Sequence, residues 1–327
     1  MRNVRKSAGS HRALIALGAL LLVVGAALPA WAAGGAATST AGSSRDRVYL
    51  ALGDSLAASF QPTGDTHNGY VEQVYELGQA QIPDLRLVKL GCPGERTNTI
   101  DRPRRLCPYP EGTQLDQAVA VLQSRDVAFV TLQIGSNDTF RCFRFGAVEF
   151  DQACIDELLP KISARLTSTV ETLRAADPHV PIVGSNYPDP LLALWTAPGV
   201  PDDVVMDIAH VWTSINDTLE QTYAALGVPV ADIEGVFSST DFGTIVHTGL
   251  AGNVPINVAR VCQWTFACSE RFDHDFHPTT FGYAVMTQAW ETALTTVLAL
   301  RGVWAVRVHS VRASRDAIAV AQRLLEE

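Results

Sequence analysis

Residues 49–56 read Tyr49-Leu50-Ala51-Leu52-Gly53-Asp54-Ser55-Leu56. An apolar run that stops at Gly-Asp and delivers a serine predicts a buried parallel strand ending in a sharp turn, with residues beyond it able to start a helix. A hydroxyl at the carboxyl end of such a strand lies at the open edge of an α/β sheet, where ligands bind, so Ser55 is a candidate nucleophile. Gly-Asp-Ser alone carries little weight, because three common residues recur by chance. Three further signals follow in order: Gly94 in Gly91-Cys92-Pro93-Gly94-Glu95-Arg96-Thr97, Asn137 in Gly135-Ser136-Asn137-Asp138, and His277 in His277-Pro278-Thr279-Thr280-Phe281-Gly282-Tyr283.

Working outward, apolar runs suited to buried parallel strands fall at Val48–Leu52, Leu85–Leu90, Val127–Ile134 and Val180–Ser185, with a weaker one at Val228–Ile233. Helical periodicity separates them. One stripe is Tyr70, Val71, Val74, Tyr75 and Leu77, with Gly78 as its stop; a longer one runs from Ile155 to Leu173, and a third from Val204 to Leu219. A last helix begins after Pro278, with Thr279 or Thr280 as its N-cap, and extends to about Leu300. This alternation predicts an α/β fold: a doubly wound, flavodoxin-like, parallel five-stranded sheet with right-handed crossovers. In the strand order 2-1-3-4-5 the switch point lies between strands 1 and 3. Ser55 follows strand 1, Gly94 strand 2 and Asn137 strand 3, so three distant segments converge on one crevice.

Attack on an ester carbonyl needs an activated nucleophile, a base to take its proton, and donors aimed at the developing oxyanion. Ser55 supplies the oxygen. His277 is the base, since an imidazole titrates near working pH and returns the proton to the leaving alcohol. The backbone N–H groups of Ser55 and Gly94 and the side-chain amide of Asn137 form the expected oxyanion hole. Gly94 lacks a Cβ and lets a substrate approach the backbone closely. Each residue has a bland reading when taken singly: a turn with a capping serine, a loop glycine, an Asn-Asp turn, a surface histidine before a helix. The ordered set at strand ends favours the chemistry.

With these residues in place, the chain resembles the SGNH hydrolases, the GDSL lipase and esterase family. The resemblance rests on Gly53-Asp54-Ser55-Leu56, Gly94, Gly135-x-Asn137-Asp138 and His277-Pro278-Thr279, and spans about Val48 to Leu300. Gly69-Tyr70-Val71, Leu90-Gly91-Cys92-Pro93-Gly94-Glu95, Asn186-Tyr187-Pro188-Asp189-Pro190 and the cysteine spacing look like its secreted, disulfide-bonded actinobacterial branch. That likeness implies the SGNH hydrolase fold, sequential disulfides and hydrolysis of acyl esters. One departure stands out. The family usually carries Asp three residues before the histidine, where this chain has His274 between Asp273 and Asp275. Two orienters of His277 stay open: the Asp275 carboxylate and the backbone carbonyl of His274. The carbonyl is narrowly favoured, because side chains two residues apart share a side only in extended backbone, a conformation to which Pro278 does bias His277.

Residues 1–32 read as a signal peptide, with Arg2, Arg5, Lys6 and Arg12 ahead of an apolar stretch from Ala13 to Leu28 and a Pro29-Ala30-Trp31-Ala32 cleavage site. An uncleaved anchor is the alternative, since that stretch is long enough to span a bilayer. Residues 33–45 form a flexible linker rich in Ala, Gly, Ser and Thr, residues 46–300 the SGNH/GDSL hydrolase domain, and residues 301–327 an extension with Ser314 capping an amphipathic helix. Loss of the leader's four basic residues, with no acidic ones, takes the formal charge from −9 to −13. Such an acidic surface disfavours nucleic acid and anionic membranes.

Six cysteines in an exported chain imply disulfides. Of fifteen possible pairings, the clustering in twos favours nearest neighbours: Cys92–Cys107, Cys142–Cys154 and Cys262–Cys268. A zinc site is disfavoured because no Cys-x-x-Cys pair occurs, and a metal held by His274, His277 and the neighbouring aspartates is disfavoured because a crowded charged loop is usually solvated. No cofactor or metal is expected. The sequence thus reads as a secreted, monomeric serine esterase or lipase acting on a small-molecule or lipid ester, with no membrane span after signal cleavage. A carbohydrate O-deacetylase and a catalytically silent lipid- or surface-binding module are the alternatives.

Overall fold

The computed structural model describes residues 46–64, 66–249 and 252–300, with 312 and 315–319 near the C-terminus. The expected signal peptide, linker and Ser314 cap lie outside the described residues. Residues 315–319 are helical. Among the described residues no helix is long and apolar enough to cross a membrane.

Five parallel strands form the central sheet: β1 (Arg47–Gly53), β2 (Leu85–Lys89), β3 (Asp126–Gln133), β4 (Ile182–Ser185) and β5 (Val230–Ala231). Their order is β2-β1-β3-β4-β5, as the doubly wound reading requires. Val48 to Leu52 are wholly buried, which explains why β1 shows no alternation of apolar and polar residues: helices cover both faces of the sheet. The weak fifth run contributes only two paired residues.

The helices used below are α1 (Tyr70–Gln79), α2 (Gln114–Ser124), α3 (Gln152–Ala176), α4 (Asp202–Ala225), α5 (Ile256–Trp264) and α6 (Thr280–Leu300). α1 packs on α6, which reaches β4 and β5, while α2, α3 and α4 pack in succession. Helix α1 does not stop at Gly78 but runs one residue past it. Gly78 is needed for packing: a Cβ there would lie 2.6 Å from Leu85 Cδ2, so its absence lets α1 settle on the start of β2. Thr279 is the N-cap of α6, its Oγ1 accepting from the Gly282 N–H at 3.1 Å.

The three disulfides are Cys92–Cys107, Cys142–Cys154 and Cys262–Cys268. The first closes the loop that carries Gly94, the second follows Asn137, and the third precedes His277. The segments of Gly94, Asn137 and His277 therefore each have a covalent tie beside them, and the Ser55 turn has none.

Candidate active site

The sharp end of β1 holds the site together. Gly53 has φ +134°, and a Cβ there would fall 1.9 Å from the Gln133 carbonyl oxygen, so only glycine lets β1 and β3 close this tightly at their carboxyl ends. Its carbonyl accepts from the Cys92 N–H at 3.0 Å and from Gln114 Nε2 at 3.0 Å. Its N–H donates to Gln114 Oε1 at 2.7 Å, and the next N–H, of Asp54, donates to the Gln133 carbonyl at 3.0 Å. Gly53 and Asp54 thereby fix the end of β1 to the loop after β2, to α2 and to the end of β3. Ser55, Gly94 and Asn137 each follow one of those anchors.

Asp54 is buried, and its carboxylate accepts from the Leu56 N–H at 2.9 Å, Tyr187 Oη at 2.7 Å and Ser136 Oγ at 3.4 Å. Burial pushes its carboxyl up to about 6, against the pull of those donors. The turn bearing Ser55 is closed by Ala58 N–H on the Asp54 carbonyl at 2.9 Å and Phe60 N–H on the Ser55 carbonyl at 2.9 Å. Ser55 itself is half-buried.

Gly94 stands exposed with φ +72°, a conformation that suits glycine. Its loop is locked to the Asn137 segment: Asp138 accepts from both the N–H and the Oγ1 of Thr97 at 2.8 Å, and Asn137 Nδ2 donates to the Glu95 carbonyl at 3.0 Å. An amide nitrogen carries two hydrogens, and the Glu95 carbonyl takes one of them. Glu95 anchors the same loop from inside, its buried carboxylate paired with Arg104 at 3.1 Å.

On the opposite side, His277 Nδ1 lies 2.7 Å from Asp275 Oδ1, and the same oxygen accepts the His277 backbone N–H at 2.9 Å. The sequence favours the carbonyl of His274 as the partner of this ring; in the structure the group within hydrogen-bond distance of Nδ1 is the Asp275 carboxylate. The physical reason is local. Asp273 and His274 both have left-handed backbone, φ +52° and +53°, and the chain turns so that Asp275 makes an Asx-type contact two residues on, which brings its side chain to the ring without an extended strand. Burial pushes the Asp275 carboxyl up, but the hydrogen bond and charge of His277 outweigh it and hold it below the usual range. Phe60 packs edge-on against the imidazole, with centroids 4.6 Å apart.

Ser55, Gly94, Asn137 and His277 line one cleft of about 260 Å³, walled by Leu56, Phe60, Phe140, Tyr187, Trp212 and Phe276. Among the described residues no group of three or more His, Cys, Asp or Glu is arranged to hold a metal ion. A model of the GDSL-like lipase/acylhydrolase family matches residues 51–285, which include all of these residues. The chain belongs to the GDSL-like lipase/acylhydrolase family. Among solved structures, the extracellular lipase from Streptomyces rimosus is similar with a TM-score of 0.51 at 18% identity, over 76% of this chain and 99% of that one. Phospholipase A1 from Streptomyces albidoflavus NA297 is similar at 18% identity with a TM-score of 0.46, over 75% of this chain and 98% of that one. No curated protein sequence matches the chain. The family match and the first of these structures agree with the five-stranded doubly wound sheet.

Two parts of this GDSL site escape a reading by motif. Gln114 clamps both polar groups of the Gly53 peptide, but as a residue one place inside a helix it gives no signal in the sequence. Tyr187 stands in a stretch that resembles the family, yet only the folded chain puts its hydroxyl on Asp54, across 133 residues.

Proposed function

We propose that the protein is an exported serine esterase that hydrolyses carboxylic acyl esters. The observation that carries this is the pairing of Asp275 with His277 at 2.7 Å on the wall of the cleft that also holds Ser55, Gly94 and Asn137. In this reading Ser55 Oγ attacks the acyl carbon while His277 Nε2 takes its proton. The carbonyl oxygen gains negative charge and is held by the N–H groups of Ser55 and Gly94 and by the Asn137 amide. As the tetrahedral intermediate collapses, the bond to the alcohol oxygen breaks and His277 delivers the proton to that oxygen, leaving an acyl-serine. Water, deprotonated by His277, then attacks the acyl-serine, and the serine leaves with the proton, giving a carboxylic acid and free enzyme. Asp275 fixes the ring tautomer and stabilises the imidazolium.

Export is supported by the three disulfides, which suit an oxidising compartment, and by the leader-like residues 1–32. The fold likeness to an extracellular lipase points the same way. The apolar lining of the cleft suits an acyl lipid or related ester. The test is a panel of p-nitrophenyl esters with C2, C4, C8 and C16 acyl chains, run on wild type and Ser55→Ala. Hydrolysis that Ser55→Ala lowers by orders of magnitude is expected. A folded Ser55→Ala protein keeping more than about a tenth of wild-type turnover defeats the serine mechanism.

A further inference from the structure

Next to the cleft lies a second, larger concavity of about 1170 Å³, walled by the Pro190–Thr196 turn, the Cys262–Cys268 loop and the residues leading to His277. It exceeds the usual volume of a site for a drug-sized ligand, about 300–1,000 Å³. Pro190 and Phe276 line both spaces, so a single layer of side chains separates them. Phe276 is half-buried and stacks on Phe140, ring centroids 5.7 Å apart and 14° from parallel, and so forms the threshold between the two spaces. Phe145 stands at the groove with 63% of its surface exposed, edge-on against Phe143 at 4.8 Å, and adds to its apolar wall.

We propose that this groove binds the alcohol half of the ester and that this half is an extended apolar, uncharged one. The inference rests on the serine-esterase reading above. Its direction comes from the chemistry. The leaving oxygen receives its proton from His277, so the alcohol leaves on the histidine's side of the acyl carbon, and the groove is the space that opens on that side: Asp273, His274 and Phe276 are its wall. The smaller cleft, closed by Leu56, Phe140 and Trp212, is left for the acyl half. Leu194, Trp195 and Val254 supply apolar surface for a chain. Glu270 and Asp273 line the groove as well and disfavour an anionic headgroup.

The test separates the two halves of the substrate. Acetates of methanol, butanol, octanol and dodecanol vary the alcohol; methyl esters of acetic, butyric, octanoic and dodecanoic acids vary the acyl chain. The expected result is that kcat/KM rises at least about ten-fold from methyl to dodecyl acetate, as burial of several methylenes allows, and less along the acyl series. Ala193→Trp, which narrows the groove, should remove most of that rise. A gain that follows the acyl chain, or an equal loss on methyl and dodecyl acetate in Ala193→Trp, overturns the assignment. A binding measurement stands apart from turnover: 12-bromododecanol should quench tryptophan emission, and Trp195→Phe should lose that component. Should Ser55→Ala hydrolyse as wild type does, the esterase reading fails while the quenching still reports on the groove; absent quenching, or quenching unchanged in Trp195→Phe, rejects the groove as a chain site.

Discussion

The Tyr187 hydroxyl donates a 2.7 Å hydrogen bond to Oδ2 of Asp54, the residue immediately before Ser55, joining the segment after β4 to the turn that bears Ser55. Both groups are fully buried in the core beneath the cleft, where a carboxylate keeps its charge only at a cost. Asp54 is held up at about 6, chiefly by burial, and Asp189, two residues after Tyr187, at about 7 for the same reason.

These raised carboxyls set a pH dependence of stability. In the unfolded chain each titrates near 3.8, so between about 4 and 7 the folded state binds more protons than the unfolded one, and stability falls as pH rises through that window. Thermal unfolding followed at pH 4.5, 6 and 7.5 should show Tm dropping across the series. Asp189→Asn should flatten the slope, since it removes up to about 4 kcal/mol of linkage from a fully buried site. A slope unchanged in Asp189→Asn would falsify the assignment of that titration to Asp189.

Asp275→Asn should reduce kcat by about 10⁴-fold, as loss of the carboxylate behind a catalytic histidine does elsewhere. Asp273→Asn, two residues away with an exposed side chain, should stay within a few-fold of wild type. Steady-state kinetics of the two variants beside His277→Ala decide the point: near-wild-type turnover in Asp275→Asn would return the orienting role to a backbone carbonyl.

Asn137→Ala should lower kcat by about 10²- to 10³-fold with KM nearly constant, because the amide acts on charge that exists only in the transition state. Gly94→Ala should be impaired through its backbone: its Cβ would meet nothing nearer than Arg104 Nη2 at 3.7 Å, but φ +72° is strained for alanine. A change confined to KM in Asn137→Ala would move that residue from the oxyanion to substrate binding.

Replacing Cys92 and Cys107 with serine should cost about 3 kcal/mol of stability for a bridge closing 15 residues. Activity should drop further than the population of unfolded protein explains, since the bridge restrains the Gly94 loop. Denaturant titration and specific activity on the same preparation test this, and a fully active, fully stable variant would show the loop to be held by Glu95 and Asp138 alone.

The positions of the strands were legible in the chain because fully buried parallel strands are written as largely apolar runs, unbroken in Val48–Leu52 and interrupted only by the buried Thr131 and Gln133 in Val127–Ile134. So were the four segments that meet at the cleft, since their residue types and order survive in the sequence whatever the loops between them do. The cysteine pairs were legible from proximity along the chain. Contacts set by chain reversal were not. The left-handed turn at Asp273 and His274, which puts the Asp275 carboxylate on His277, has no glycine to announce it. The clamp of Gln114 on Gly53 and the bond of Tyr187 to Asp54 join residues 61 and 133 positions apart, and no local pattern encodes a partner at that distance. Periodicity and residue type thus determined the sheet and the four segments that meet at the cleft, while the contact between Asp275 and His277, the support beneath Ser55 and the groove beyond Phe276 were decided by the close packing of segments that meet only when the chain is folded.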